Sequence, residues 1–160
     1  MTTTDYLDVC AIDGRVFSIT GEVVVPTLGG LYSFLGRVSE TRTCLVNFFL
    51  RSDQGPLSVK IIEAPTISAA GTPTSAINRN RNSDNISDTL VYIEPTYTGG
   101  QVIYSNFVDE IGGGAHEQGG EAQMPGVTIL KDNTDYVFEL ENTGASDTNV
   151  SFSILWCEEE

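Results

Sequence analysis

The chain has 160 residues, of which 40% are hydrophobic, and its 22 acidic and 8 basic side chains give a formal net charge of −14. This length fits one domain with a core that needs no metal ion or disulfide for stability. No apolar run reaches the roughly 20 residues that cross a bilayer. The negative charge disfavours direct binding to nucleic acid or to an anionic membrane, so neither is predicted as a partner.

The first 14 residues are polar and acidic, and they predict an extended arm outside the core, of the kind that becomes ordered on a partner. They contain no basic stretch followed by an apolar one, which is the pattern of a secretory signal. We therefore expect synthesis and folding in a cytoplasm. Residues 15–160 are predicted to form a single domain.

Apolar and polar residues alternate with a period of two from about residue 15 to the C-terminus, whereas helical periodicity is nearly absent. Short segments of this kind, separated by Gly, Pro, Asn, Asp and Ser, predict an all-β fold. The architecture we expect is an antiparallel two-sheet β-sandwich, jelly-roll-like, with long loops and the N-terminal arm. About nine strands are predicted, near residues 17–25, 31–38, 44–50, 57–63, 90–94, 102–108, 127–130, 136–140 and 150–156.

The last two predicted strands show the clearest alternation. Their predicted core residues are Tyr136, Phe138, Leu140, Val150, Phe152, Ile154 and Trp156. Turn-forming residues at 142–147 separate the two strands and predict a hairpin with a loop of about six residues. The residues between the core positions of the first of these strands, Val137, Glu139 and Glu141, are predicted to point outward. In the first strand of the chain, Gly21 falls on the core face and indicates either a bulge or close packing.

The cysteines predict free thiols. Cys10, Cys44 and Cys157 are odd in number, widely separated and without C-x-x-C spacing, so they fit neither a disulfide framework nor a zinc site. Cys44 and Cys157 lie in apolar strand-like runs, where cysteine behaves as a small hydrophobic residue.

Three other features suggest chemistry but are explained more simply. His116 is a lone histidine without a recognisable nucleophile elbow. The acidic run 132–135 lacks the glycine and distal glutamate of an EF-hand, and a turn accounts for it. The glycines 112–114 lack the Lys-Ser/Thr of a phosphate-binding loop. We therefore predict no catalytic, cofactor or metal site, and we expect the acidic residues 109–110 and 158–160 to be solvated charges.

Two long insertions, at about 64–88 and 111–126, interrupt the strands, and loops of this length are often functional. The first contains the most unusual run, because two of the eight basic residues fall in it, separated by asparagines. An arginine there could pair with a neighbour's carboxylates, with the amides bonding across an interface, or the run could lock the loop within its own chain. Both alternatives stay open. The candidate interaction residues are Asn78, Arg79, Asn80, Arg81 and Asn82.

The run 71–83, the glycine-rich loop leading to residues 119–121, the run 130–136 and a closing strand that ends in Trp156 and acidic residues resemble small virion proteins of tailed bacteriophages. The resemblance covers roughly residues 55–160. It implies a head decoration, or cement, protein: a β-sandwich on the outside of a capsid, commonly a trimer, that reinforces contacts among major capsid subunits. No active site comes with the resemblance.

The expected function is thus that of a phage virion structural protein, located on the capsid exterior and bound to major capsid subunits, with no enzymatic activity and no cofactor. Two alternatives from other classes remain. One is a receptor- or carbohydrate-binding domain of a tail, collar or head fibre, which would be expected to carry exposed aromatic residues in its long loops. The less favoured one is a glycan-active enzyme, which would need two carboxylates converging in a cleft.

Overall fold

The computed structural model describes residues 3–53, 56–108, 121–123 and 126–159. Two large antiparallel sheets pack face to face, which confirms the predicted all-β sandwich. The elements are α1 (Thr3–Ile12), β1 (Val16–Val25), β2 (Leu31–Arg37), β3 (Arg42–Ser52), β4 (Leu57–Glu63), β5 (Thr66–Ala69), β6 (Thr72–Thr74), β7 (Ile77–Asn78), β8 (Leu90–Ile93), β9 (Thr96–Thr98), β10 (Gln101–Val108), β11 (Glu121–Gln123), β12 (Thr128–Ile129), β13 (Asp135–Asn142) and β14 (Thr148–Glu159).

The first four strands alternate between the two sheets along the chain. The first sheet has the order β11-β3-β14-β1-β7, with β12 also pairing with β3, and the second has the order β10-β4-β13-β2-β8-β6. All three connections between β1, β2, β3 and β4 therefore cross from one sheet to the other, as in jelly rolls. Within the described residues, no helix is long and apolar enough to span a bilayer.

The main core lies between the sheets, where side chains from both inner faces interdigitate. The Phe34 and Phe152 rings meet with centroids 4.4 Å apart, and the Phe48 and Phe138 rings with centroids 5.7 Å apart. Every predicted core residue of β13 and β14 lies in this cluster or packs against it, so the alternation identified their inward faces correctly.

Gly21 makes room for an aromatic ring. It lies opposite Phe152 in an unbroken register between β1 and β14, and a Cβ at this position would lie 3.0 Å from the Phe152 ring. Close packing, and not a bulge, therefore accounts for the glycine.

The predicted hairpin between β13 and β14 is wrong. β13 pairs with β2 and β4, and β14 pairs with β1 and β3, so the loop 142–147 connects the two sheets. Asn142 fixes this crossing because its buried amide donates to the carbonyl oxygens of Val25 (3.0 Å) and Ser146 (2.8 Å). The turn-forming residues reverse the direction of the chain, but strand partners distant in sequence decide which sheet each strand joins.

The outward face of β13 is covered, contrary to the expectation of a solvated face. Val137 is fully buried with Leu35 and Ile62, because the small sheet of β5 and β9 folds over the second large sheet. Tyr97 of β9 donates a hydrogen bond to Glu139, which also accepts one from Lys60 at 3.0 Å. The insertion 64–88 is accordingly not unstructured, since it contains β5, β6 and β7.

The predicted extended arm is a helix, α1, docked on the outer face of the first sheet. Cys10 is only 1% exposed and packs with Val16, Val46 and Cys157. Gly14 ends the helix at φ +70°, a conformation that glycine adopts without strain, and Arg15 N–H bonds to the carbonyl of Cys10 at 2.9 Å. This apolar contact and the helix end explain why the segment is not extended.

All three cysteines are free and buried, which confirms the predicted free thiols. The division of the chain into an arm and one domain stays a prediction.

Candidate interaction surface

The residues predicted to interact follow β7 and lie beside the C-terminal end of α1. Asn78 pairs with Phe17 at the edge of the first sheet and is buried, whereas Asn80 is half-buried. Arg79, Arg81 and Asn82 are exposed. Two amides of the run, Asn78 and Asn80, thus point into the protein, whereas both cations and Asn82 are exposed to solvent.

Asn78 is the centre of a hydrogen-bond cluster. Its Nδ2 donates to the carbonyl oxygens of Gly14 (2.9 Å) and Asn85 (3.0 Å), and its Oδ1 accepts from the N–H of Asn80 (2.9 Å). Both polar ends of a buried amide are therefore satisfied, as burial requires. The loop following β7 is tied at this point to the residue that ends α1.

Asn80 and Asn85 complete the same cluster. Asn80 Nδ2 donates to the carbonyl oxygen of Ile12 at 2.8 Å, and Asn85 Nδ2 donates to that of Gly14 at 3.2 Å. The last carbonyls of a helix have no partner within the helix, so these amides supply the missing donors. The geometry of the asparagines matches the alternative in which the run locks the loop within its own chain.

A buried carboxylate holds the rest of this loop. Glu158 is 5% exposed, and its Oε1 accepts hydrogen bonds from Ser87 Oγ (2.7 Å), the Thr89 N–H (3.0 Å) and Trp156 Nε1 (3.0 Å). Its Oε2 accepts from the Asp88 N–H at 2.9 Å. The expectation that Glu158 is a solvated charge is therefore wrong, because four donors replace the water that this carboxylate loses on burial.

The two arginines of the run differ from most other cations of the chain. Among the described side chains neither Arg79 nor Arg81 forms an ion pair. Arg51 likewise has no ion pair among them. The basic residues that do form ion pairs are Arg15, Arg37, Arg42, Lys60 and Lys131.

Exposed large apolar side chains lie in the same stretch of the chain as these arginines. Ile86 is 87% exposed, and Ile77 and Leu90 are each about half exposed. A groove of about 190 Å³ lies between residues 73–76 and 86–92. We call the set Ile77, Arg79, Arg81, Ile86 and Leu90 the Arg-Ile surface. Sequence reasoning missed its three apolar members, although isolated Ile and Leu residues in a polar insertion were a visible signal.

The acidic run 132–135 forms a turn, as its sequence indicates. Asn133 adopts a positive φ of 51°, and Asp135 makes a two-point ion pair with Arg37 at 2.9 and 3.1 Å. No three His, Cys, Asp or Glu side chains are grouped as metal ligands within the described ranges. His116, the glycines 112–114 and the acidic residues 109–110 lie outside the described residues.

Titratable side chains on β4, on β13 and just before β13 form hydrogen bonds with one another. Lys131 Nζ and Tyr136 Oη both donate to the carboxylate of Glu63, and the Lys131 bond in particular holds the pKa of Glu63 below its usual range. Burial, reinforced by the Glu63 carboxylate, raises the pKa of Tyr136 to about 12.

The cavity between the two sheets is small and apolar. Its volume of about 30 Å³, lined by residues such as Ile19, Leu45 and Trp156, is room for about two water molecules. The exposed surface is thus a better candidate for binding a large partner than the interior is for binding a ligand.

Comparison with known proteins gives no assignment. No protein-family model matches the chain. No curated protein matches its sequence either.

Proposed function

We propose that the protein is a phage virion structural protein that decorates the capsid exterior and stabilises it by binding major capsid subunits, as a homotrimer made in the host cytoplasm. The observation that carries this proposal is the Arg-Ile surface: one loop carries two exposed arginines without described ion partners and a nearly fully exposed isoleucine. Arginine and large apolar anchors dominate the energetics of protein interfaces.

The surface is presented by a loop that is already held in place. Asn78, Asn80 and Glu158 bind the loop to α1 and to β14 within the same chain. A preorganised surface loses little conformational entropy on binding, which raises its affinity for a partner. Symmetry on a capsid then multiplies weak single contacts, so each copy needs only modest affinity.

Charge supports the same arrangement. The chain carries a net charge of −14, and the Arg-Ile surface brings two cations together on one loop. A shell subunit with carboxylates at the contact would pair with Arg79 and Arg81, while the remaining acidic surface would face outward and repel other particles.

The test is binding to undecorated capsids. We expect the purified protein to bind them at micromolar concentration and to raise their resistance to heat. The double variant Arg79→Glu/Arg81→Glu should bind at least about ten-fold more weakly, because it reverses both charges at the contact. Both arginine side chains are exposed, so the fold should be retained, which circular dichroism would verify.

The matched control is Arg51→Glu at an exposed site on β3, compared with the single variant Arg79→Glu, because each reverses one exposed charge. An equal loss in the control would show that net charge, and not the Arg-Ile surface, governs binding. No binding of the wild-type protein to capsids would overturn the proposal. Binding to a glycan array in its place would favour the receptor- or carbohydrate-binding alternative.

A further inference from the structure

β10 is an edge strand of unusual length for this fold. It pairs with β4 along one side, and no described strand pairs with its other side. The other edge strands of the two large sheets, β6, β7, β11 and β12, have two or three residues each, against eight in β10. Beyond β7, residues 19–25 of β1 form a second unpaired stretch, of seven residues. β10 therefore presents the longest row of edge backbone groups in the described sheets.

The composition of β10 offers little protection against pairing. Its sequence, Gln-Val-Ile-Tyr-Ser-Asn-Phe-Val, has no charged residue and no proline, although the chain contains 22 acidic residues. Proteins usually protect a free strand edge from pairing with another chain by charges, proline or bulges. In β10 only a bulge between Val102 and Tyr104 offers such protection. Val102 and Phe107 are each about half exposed. The strand itself therefore carries no charge that would repel β10 of a second copy.

The backbone at Phe107 already shows a donor turned to the free side. The Phe107 N–H bonds to the side-chain oxygen of Asn106 at 2.8 Å, a substitute for a strand partner. Beyond the bulge, Tyr104 and Val108 lie opposite the core residues Ile61 and Leu57. Ser105 and Phe107 thus occupy the other face of the strand, because successive side chains alternate.

An antiparallel pairing of two β10 strands is self-complementary when its two-fold axis passes through Asn106. Tyr104 then lies opposite Val108 of the second copy and Ser105 opposite Phe107, so residues that share a face meet directly. The outward Phe107 N–H gains the Ser105 carbonyl of the second copy as its acceptor. No like charges meet across this pairing.

The proposed register pairs residues 104–108 of the two copies. Five residues in an antiparallel strand extend about 17 Å. A standard interface of about 800 Å² per partner is a patch about 28 Å across. The paired strands thus span a little over half of one dimension of a stable contact, and the flanking layers of the sandwich would supply the rest.

We propose that β10 pairs antiparallel with β10 of a second copy, which joins the second sheets of two protomers into one continuous sheet. This contact is isologous and closes at two copies. Contacts around a three-fold ring are heterologous, so β10 would link protomers of different rings on the shell. Free protein, in which the ring has not yet assembled on the shell, would be a dimer. The inference does not depend on capsid binding.

The mass of the free protein tests the proposal. Sedimentation equilibrium should give about twice the 17.3 kDa of one chain at micromolar concentration. Phe107→Lys should weaken dimerisation at least about ten-fold by placing a charge on each side of the pairing. The control Val24→Lys adds the same charge at a half-exposed site on β1, which lies in the first sheet and not at the β10 edge, and should leave the dimer intact. A monomeric wild-type protein, or equal effects of the two variants, would overturn the proposal.

Cross-linking locates the contact independently. The three native cysteines are buried, so an Asn106→Cys variant adds an exposed thiol at the predicted two-fold axis. A mild oxidant should convert it to a disulfide-linked dimer, two thiols losing two protons and two electrons to the oxidant. Val24→Cys should not cross-link. A wild-type dimer in which Asn106→Cys fails to cross-link would place the interface elsewhere and refute the β10 pairing.

Discussion

The two lateral sides of the sandwich differ in whether their edge strands have partners within the chain. On the closed side, residues 72–90, the chain passes from β6 at the edge of the second sheet to β7 at the edge of the first, and the following loop is bonded to α1. On the open side, β10 has one free edge among the described strands. The closed side satisfies many of its polar groups within the chain, and we propose that the open side satisfies them on a second copy.

This difference separates two ways of binding other molecules. The closed side fixes its backbone with asparagine amides and a buried carboxylate, so exposed side chains are the groups left for recognition. The open side offers backbone hydrogen bonds, which recognise an extended strand whatever its sequence. We therefore expect substitutions on the closed side to change folding stability, and substitutions on the open side to change association.

The largest expected effect is that of Asn78→Ala on the closed side. The variant removes three hydrogen bonds and leaves the Gly14 carbonyl with fewer donors, so we expect a loss of about 3 kcal/mol in the free energy of unfolding, at about 1 kcal/mol per bond. Urea denaturation followed by Trp156 fluorescence would measure it.

The control for this prediction is Asn82→Ala, in the same loop but exposed. We expect less than about 0.5 kcal/mol, the usual range for surface substitutions. Equal losses in the two variants would contradict the assignment of Asn78 as the residue that fixes the loop.

A smaller effect is expected from acid near the open side, where Glu63 of β4 lies opposite Gln101 of β10. The Lys131 hydrogen bond lowers the pKa of Glu63 from its usual 4.5, so the unfolded chain binds a proton at a higher pH than the folded one. Stability should fall as the pH drops below about 4.5. The amide cluster around Asn78 has no titratable member.

Measurement of unfolding free energy from pH 6 to pH 3 would check this expectation. Glu63→Gln should show a shallower decline than the wild type, and Glu22→Gln, at an exposed site, serves as its control. If Glu63→Gln followed the wild-type curve, the Lys131 contact would not contribute to acid sensitivity.

The smallest expected effect is that of Phe107→Lys on the stability of the dilute monomer. Phe107 is half exposed and lies on the free edge, so its replacement should change the free energy of unfolding by less than about 0.5 kcal/mol. Thermal unfolding at low protein concentration would test this. A loss comparable to that of Asn78→Ala would mean that β10 is part of the core and not a free edge.

Much of the fold could be predicted from local pattern. The alternation around Ile154 identified the core face of β14, and Gly21 indicated the close approach that Phe152 makes. The candidate site was harder, because the asparagines of residues 78–82 looked equally suited to an interface and to a local lock. Only the positions of Ile12 and Gly14, more than sixty residues away in sequence, made the second role visible.

The sequence by itself determined the long strands, their inward faces and the free thiols, since each depends on residue type and on spacing along a few residues. Tertiary structure decided the rest: that β13 and β14 lie in different sheets, that Cys10 anchors a helix, and that Glu158 is buried. The physical reason is that a strand, a helix end or a carboxylate needs partners for its polar groups. Those partners come from distant parts of the chain, and in the case of β10 we propose that they come from a second copy.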